Sequence, residues 1–195
     1  MNDREQIINA IAANQPAFSP SPATHFSAGD QEGLASQFAD TLTAIGGVVF
    51  IVDSLADIHQ HIKDNTSAEH RVISRIGGIA GYSEDIDTTL SPHSLQDVEI
   101  AVLKAHFGVA ENGAVWLTEE LMGNRVLPFI CQHLMIALYM KDIVANMHKA
   151  YERIGSNSYG FGAFIAGPSK TADIEQSLVM GAHGPKTMTV FLIRS

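Results

Sequence analysis

The sequence predicts an α/β protein with three layers: a mostly parallel sheet, helices on both of its faces, and one β-hairpin. Short apolar runs typical of buried strands alternate with segments of helical periodicity. Parallel strands need long crossover connections, which the helical segments supply. The chain has 195 residues, a length that suits one domain. We expect this domain over residues 31–195, preceded by a helix and an extended arm over residues 1–30.

The N-terminal arm is indicated by helical spacing followed by prolines. Ile7, Ile8 and Ile11 are spaced for one helix within residues 2–14, and residues 15–29 contain three prolines and several serines. A helix set apart in this way can bind a second copy of the chain in a homo-oligomer, bind a different partner, or pack as a cap on its own core. The sequence leaves these alternatives open.

The first half of the domain is predicted from one amphipathic helix and two apolar runs. Glycines 46 and 47 end the helix, and Asp53 or Ser54 can cap the next one. The predicted elements are a helix over 31–45, a strand over 48–52, a helix, a strand over 71–74, a glycine-rich segment over 76–81 and a surface loop over 82–94.

The second half begins with a hairpin. Two apolar runs, 98–111 and 114–118, flank Asn112-Gly113, and Asn-Gly between strand-like runs is a strong hairpin signal because both residues tolerate positive φ. The elements predicted after it are a strand over 134–140, a helix over 142–153, a strand over 161–166, a helix over 171–180 and a strand over 188–193.

Composition and charge narrow the function. The formal net charge of −9, with twelve Lys and Arg, disfavours nucleic acid as a partner. The longest apolar run is far shorter than the ~20 residues that cross a bilayer, so neither a membrane span nor a signal peptide is expected. Cys131 is the lone cysteine and cannot hold an iron–sulfur cluster, which generally takes about four ligands. We expect a cytoplasmic protein without a cofactor of its own.

The most informative segment is 164–175, where a strand turns through Gly-Pro directly into a helix. Ligands of open α/β sheets bind at the carboxyl ends of strands, and helix N-termini attract anions. Ser169, Lys170 and Thr171 could therefore meet a carboxylate or phosphate. Capping explains the same residues, since Ser169 or Thr171 can accept an orphan amide and Asp173 complements the helix dipole.

Three further features of the sequence could carry chemistry. His183 lies in the turn 181–185 and could serve as an acid, a base or a metal ligand, although turn histidines are usually solvated. Glu111, just before the hairpin turn, could be a nucleophile or base, although turn chemistry alone explains its neighbours. His59 and His61 are two residues apart on a predicted helix and point away from each other, so no metal site is expected.

Residues 167–175 (GPSKTADIE) and 181–185 (GAHGP) resemble the C-terminal signature of the LUD-domain family, which includes lactate-utilisation protein C. The segment 108–113 resembles the family's hairpin, usually written with Glu-Thr-Gly-Thr, but Asn112 and Ala114 replace the two threonines. The resemblance covers about the last hundred residues. The ligand-binding residues it favours are Gly167, Ser169, Lys170, Thr171, Asp173, His183 and Gly184.

This resemblance implies a fold similar to the sugar-phosphate isomerase and CoA-transferase group. It also implies partners, two iron–sulfur proteins that together oxidise L-lactate to pyruvate, with this chain as an auxiliary binding, scaffolding or regulatory subunit. A small carboxylate is the expected ligand. In CoA-transferases of the related fold a glutamate in a similar turn forms the acyl adduct. The enzymatic alternative is therefore a CoA-transferase-like activity through Glu111, with segment 77–81 near the substrate.

Overall fold

Six α-helices and nine β-strands make up the part of the chain described by the computed structural model, residues 2–20, 30–67, 69–77, 79, 82, 91–170, 181 and 183–194. The helices are α1 (Asp3–Ala13), α2 (Gln31–Ala44), α3 (Leu55–Asn65), α4 (Glu119–Met122), α5 (Leu127–Ile130) and α6 (Met147–Ile154). The strands are β1 (Val48–Val52), β2 (Arg71–Ser74), β3 (Val98–Lys104), β4 (Phe107–Val109), β5 (Ala114–Thr118), β6 (His133–Tyr139), β7 (Ile143–Val144), β8 (Gly162–Ile165) and β9 (Thr187–Ile193).

The central sheet contains five parallel strands in the order β1-β9-β6-β3-β2. Its inner strands are buried along most of their length, as expected for a parallel sheet covered on both faces. The predicted parallel sheet is therefore confirmed. Its strands all begin at one edge, called here the amino edge, and end at the opposite edge, the carboxyl edge.

Different layers cover the two faces of the central sheet. On one face α3 buries Ile58 and Ile62 in a cluster with Phe191 of β9. On the other face α2 buries Phe38 and Leu42 in a larger core that also holds the apolar side chains of β5. Helix, sheet and a mixed layer of helix and strands make three layers, which confirms the α/β class.

A second sheet, in the order β7-β4-β5-β8, belongs to that mixed layer. β4 and β5 pair antiparallel with Val109 opposite Ala114, which confirms the hairpin. Gly113 adopts φ +68°, and the Asn112 side chain accepts a hydrogen bond from Ala114 N–H at 3.0 Å. Asn112 and Gly113 are thus the residue types that this tight turn between β4 and β5 requires.

The apolar run 98–111, expected to be one strand, is two strands in different sheets. β3 ends at Lys104 in the central sheet, and β4 starts at Phe107 in the second. Between them Ala105 N–H still bonds Ala137 of β6, while His106 N–H bonds Trp116 of β5. The run changes sheets within two residues, at the exposed Lys104 and His106, which interrupt the apolar pattern without showing that the two halves join different sheets.

The helix predicted over residues 142–153 is wrong at its start. Residues 140–142 form a 3-10 turn, and β7 then pairs in parallel with β4. Asn146 caps α6 by accepting a hydrogen bond from Lys149 N–H at 3.0 Å, so the helix begins only at Met147. The strands predicted over 134–140, 161–166 and 188–193 lie within one residue of β6, β8 and β9 at each end.

The N-terminal helix is present as α1, and none of its residues is buried. Ile7, Ile8 and Ile11 are 47–61% exposed. The separate role assigned to residues 1–30 stays a prediction. The helix predicted over 171–180 and most of the loop 82–94 lie outside the described residues. Over the described ranges, no helix is both long and apolar enough to cross a membrane.

Candidate functional site

The predicted C-terminal site begins with a loop held together by its own backbone. Ser169 N–H donates to the carbonyl of Pro185 at 2.9 Å, and Gly181 N–H donates to the carbonyl of Ser169 at 3.1 Å. Gly184 faces Ser169 so closely that an added Cβ would lie 3.1 Å from the serine Cβ. The structure therefore brings Ser169, Gly181 and Gly184 together, as the two sequence motifs suggest.

Gly167 and Lys170 join this loop to the end of α2. Gly167 has φ +72°, and a Cβ there would lie 3.1 Å from the carbonyl oxygen of Ile45. The Lys170 ammonium donates a hydrogen bond to that same carbonyl. A cation at the C-terminal end of a helix satisfies a free carbonyl and favours the helix dipole. Lys170 thus has a structural partner in the absence of any ligand.

The remaining predicted ligand residues differ in what the structure says of them. His183 is exposed on the surface of the loop, and Gly184 is partly buried. Thr171 and Asp173 lie outside the described residues. The grouping of all these residues around one ligand stays a prediction.

Glu111 lies directly before the hairpin turn and contacts the N-terminus of α6. Its carboxylate is exposed and accepts a hydrogen bond from Met147 N–H, the first amide of α6, at 2.9 Å. The four N-terminal amides of a helix lack partners inside the helix, and a carboxylate there is stabilising. The geometry therefore gives Glu111 a capping role that the sequence does not reveal.

The described residues of this segment, 167–170, 181, 183 and 184, are called here the amino-edge loop because they lie at the amino edge of the central sheet. β8 belongs to the second sheet and pairs antiparallel with β5, so its carboxyl end does not point to the carboxyl edge. The loop instead leads into the start of β9, where Lys186 N–H bonds the carbonyl of Gln132 next to the start of β6. The expectation that this turn lies at the usual ligand edge of an open α/β sheet is not met.

A cleft of about 330 Å³ opens near the carboxyl edge, just beyond the end of β3. At its base His106 Nε2 lies 2.8 Å from the hydroxyl of Thr118. Thr118 is one of the few buried polar side chains among the described residues, at 6% exposure. It stands at the start of α4 but its hydroxyl does not cap that helix. Its described partner is the imidazole.

Arg153 and Glu120 set the charge of the cleft. Arg153 donates to the Asp142 carboxylate at 2.6 Å and to the carbonyl of His106 at 3.4 Å, and its guanidinium stacks over the Phe107 ring. Burial is the largest influence on His106 and lowers the pKa of its imidazole. Glu120 opposes that shift, while Arg153 and Lys104 reinforce it. The cleft therefore favours the neutral form of the His106 imidazole.

Aromatic rings form the wall of the cleft. Trp116, the one tryptophan of the chain, packs edge-on against Tyr159 with ring centroids 5.4 Å apart. Gly162 makes room for both, since a Cβ there would lie 2.5 Å from Trp116 and 3.1 Å from Tyr159. A second pocket of about 670 Å³ adjoins the first and shares Glu120 and Tyr159 with it.

Sequence reasoning missed this cleft. Its residues come from β4, β5, α4, α6 and segment 157–159, and no two of them form a motif. The available signals in the sequence were a histidine between two apolar runs and the single tryptophan of the chain. Neither has meaning without the strand pairing that joins Thr118 to Gly162.

Comparison with known proteins identifies the family. The model of the LUD domain matches residues 91–193, more than half of the chain. This chain belongs to the LUD-domain family. The matched segment contains both the amino-edge loop and the cleft, whereas α1, α2 and α3 precede it.

Individual LUD-domain relatives are similar over part of their length. Lactate utilization protein C of Bacillus pumilus is 30% identical over 99 residues, 48% of this chain and 41% of that protein. Lactate utilization protein C of Shouchella clausii is 33% identical over 108 residues, 51% of this chain and 47% of that protein. This chain thus spans about half the length of the curated relatives it matches.

The fold also has a solved counterpart. The crystal structure of a DUF162 family protein from Deinococcus radiodurans superposes with a TM-score of 0.62 at 16% identity, covering 84% of this chain and 98% of that one. This similarity supports the three-layer α/β architecture of the LUD-domain chain.

Proposed function

We propose that this LUD-domain chain is an auxiliary subunit of an iron–sulfur system that oxidises L-lactate to pyruvate in the cytoplasm. The observation that carries the proposal is family membership together with relatives named Lactate utilization protein C. In this proposal the chain binds or positions components of the system, and the iron–sulfur proteins transfer the electrons.

The chemistry of the chain is compatible with that division of labour. Burial raises the pKa of the Cys131 thiol to about 12, so the thiol stays protonated and is a poor metal ligand. In the amino-edge loop His183 is exposed, and hydrogen bonds within the backbone of the loop hold its neighbours in place. We assign this loop the contact with a partner or with a small carboxylate.

The alternative function is a CoA-transferase-like activity through Glu111. Its carboxylate would attack a thioester carbonyl, forming a mixed anhydride and releasing the CoA thiolate. The exposed carboxylate at a sharp turn supports this alternative, but the hydrogen bond from Met147 N–H would have to be given up. We therefore place the binding role first.

The test is affinity purification of the tagged full chain from its own cells grown on lactate, with mass spectrometry of the co-purifying proteins. We expect cysteine-rich iron–sulfur proteins. His183→Ala should reduce their recovery, because the ring is exposed on the loop assigned to the contact. His93→Ala, another exposed histidine in a short turn, is the matched control and should not.

Recovery of the tagged chain alone, together with an unchanged melting temperature in L-lactate, would rule the proposal out. The enzymatic alternative has its own measurement. Incubation with an acyl-CoA followed by intact-mass spectrometry should show an adduct that Glu111→Gln abolishes, if Glu111 is the nucleophile. An unmodified wild-type mass leaves only the binding role.

Association through the N-terminal arm is a further part of the proposal. The exposed Ile7, Ile8 and Ile11 on α1 would be covered if the arm packs on a second copy. Deleting residues 1–20 should then lower the mass measured by light scattering from that of an oligomer to that of a monomer. An equal oligomeric state with and without the arm contradicts this role.

A further inference from the structure

The cleft near the carboxyl edge has the chemistry of a ligand site of its own, separate from the amino-edge loop. Gly162 contacts the cleft residues Trp116 and Tyr159, whereas Gly167 belongs to the loop, and the four extended residues of β8 between them span roughly 13 Å. The volume of about 330 Å³ lies within the range of small-molecule sites. Its lining combines aromatic rings with a majority of polar and charged side chains, which can fix the orientation of a bound molecule.

The walls favour a flat ligand. Tyr159 is the accessible ring of the wall at 37% exposure, and Trp116, 7% exposed, packs edge-on beside it. Aromatic side chains attract planar rings through stacking and edge contacts. Gly162 leaves the space that the indole of Trp116 occupies, because a Cβ at residue 162 would lie 2.5 Å from that ring. The polar groups His106 and Thr118 lie at one end of this wall, so a bound ring can meet them with its edge.

The charges favour a ligand that is not an anion. The cation that lines the cleft, Arg153, is already paired with Asp142 at 2.6 Å and stacked on Phe107. The carboxylate of Glu120 repels a negative group and accepts an N–H donor. The adjoining pocket adds Glu119, which binds Arg125 at 2.6 Å, so it supplies no unpaired cation for a phosphate.

We propose that this cleft binds an uncharged aromatic heterocycle with an N–H donor, the class that includes nicotinamide and the nucleobases. The ring packs against Trp116 and Tyr159. The carboxylate of Glu120 accepts the donor, and the His106–Thr118 pair bonds the remaining polar edge. This assignment does not depend on the lactate-system role, which concerns the amino-edge loop.

The test is a titration of the full chain, followed by the single indole N–H resonance in a ¹H–¹⁵N NMR spectrum. With one tryptophan in the chain, that resonance reports on Trp116 without further assignment. The probes are nicotinamide and nicotinate, two rings of almost equal shape that differ in charge. We expect saturable shifts with nicotinamide and at least tenfold weaker binding of nicotinate.

Variants locate the binding. Tyr159→Ala should weaken nicotinamide about fivefold or more, the effect typical of losing one stacking partner. Glu120→Gln should bring nicotinate to within about threefold of nicotinamide, because the repulsive charge is gone. Glu32→Gln, an exposed glutamate in the first turn of α2, is the matched control and should preserve the discrimination.

Three results would overturn the proposal: no indole shift with either probe, nicotinate binding as tightly as nicotinamide, or variants at Tyr159 and Glu120 that behave like wild type. None of these results bears on the co-purification of iron–sulfur proteins. Failure of this site and failure of the proposed function are therefore separate outcomes.

Discussion

The two ends of the second sheet are built from different kinds of residues. At the amino edge, glycines and backbone hydrogen bonds hold the described residues of the amino-edge loop against α2, and Lys170 and His183 are exposed among them. Near the carboxyl edge, the cleft is made of side chains: an imidazole bonded to a hydroxyl, a carboxylate, and aromatic rings. Backbone contacts thus form the amino-edge loop, whereas side chains form the cleft.

This difference shows why a motif and a site need not coincide. Close backbone packing restricts sequence locally, so it produces short recognisable strings such as GPSK and GAHGP. A cleft assembled from five separate segments produces no string. The amino-edge loop is therefore visible in the sequence, whether its role is to bind or to brace.

The largest effect is expected from Gly167→Ala. Its φ of +72° disfavours an L side chain, and the Cβ would lie 3.1 Å from the Ile45 carbonyl oxygen. We expect a loss of about 2–4 kcal/mol in the free energy of unfolding, measured with urea. Gly155→Ala shares the positive φ, but its Cβ would meet only the Glu152 carbonyl oxygen at an ordinary 3.7 Å, and it should cost about 1–2 kcal/mol. Equal losses would mean that α2 does not press on the loop.

The matching change in the cleft is Gly162→Ala. The new Cβ would lie 2.5 Å from the Trp116 ring, so the indole must move. We expect a loss of about 1–3 kcal/mol together with a shift in tryptophan emission. Gly77→Ala, with nothing within 4 Å of the added Cβ, should change neither. An unchanged emission spectrum in Gly162→Ala would show that the ring is not held there.

Glu111→Gln tests the capping role. The substitution removes the negative charge from the first turn of α6 but keeps an acceptor for Met147 N–H. We expect a loss of about 0.3–1 kcal/mol in urea unfolding. Glu152→Gln, in the same helix beyond its first turn, should have a smaller effect. If both variants match wild type, the capping bond is not significant for stability.

The smallest effect is a pH dependence from His106. Its folded-state pKa is lowered, mainly by burial, so the folded state favours the neutral ring more than the unfolded state does. The stabilisation is present above the unfolded pKa and is lost as pH falls through the folded pKa. Melting temperature should therefore fall less between pH 7.5 and 5 in His106→Gln than in wild type. Identical pH profiles would place the ring in solvent.

Several elements were predictable because a local cause determines them. Asn112-Gly113 specifies the hairpin, and the glycines after α2 end that helix whatever surrounds them. The break at Ala105–His106 was not predicted, since the polar Lys104 and His106 interrupt the apolar run but do not show which sheet each half joins. The start of α6 at Met147 was also not predicted, because the apolar pattern continues upstream of Asn146, the residue that caps the helix.

The sequence by itself determined the class of the fold, the hairpin, the family signature and the absence of a cysteine set, since each depends on residue type or on spacing along the chain. Tertiary structure alone decided that β8 pairs with β5, which turns the signature loop to the amino edge. It alone joined His106 to Thr118 and Trp116 to Gly162. Strand pairing fixes which distant residues meet, and no local pattern encodes that choice.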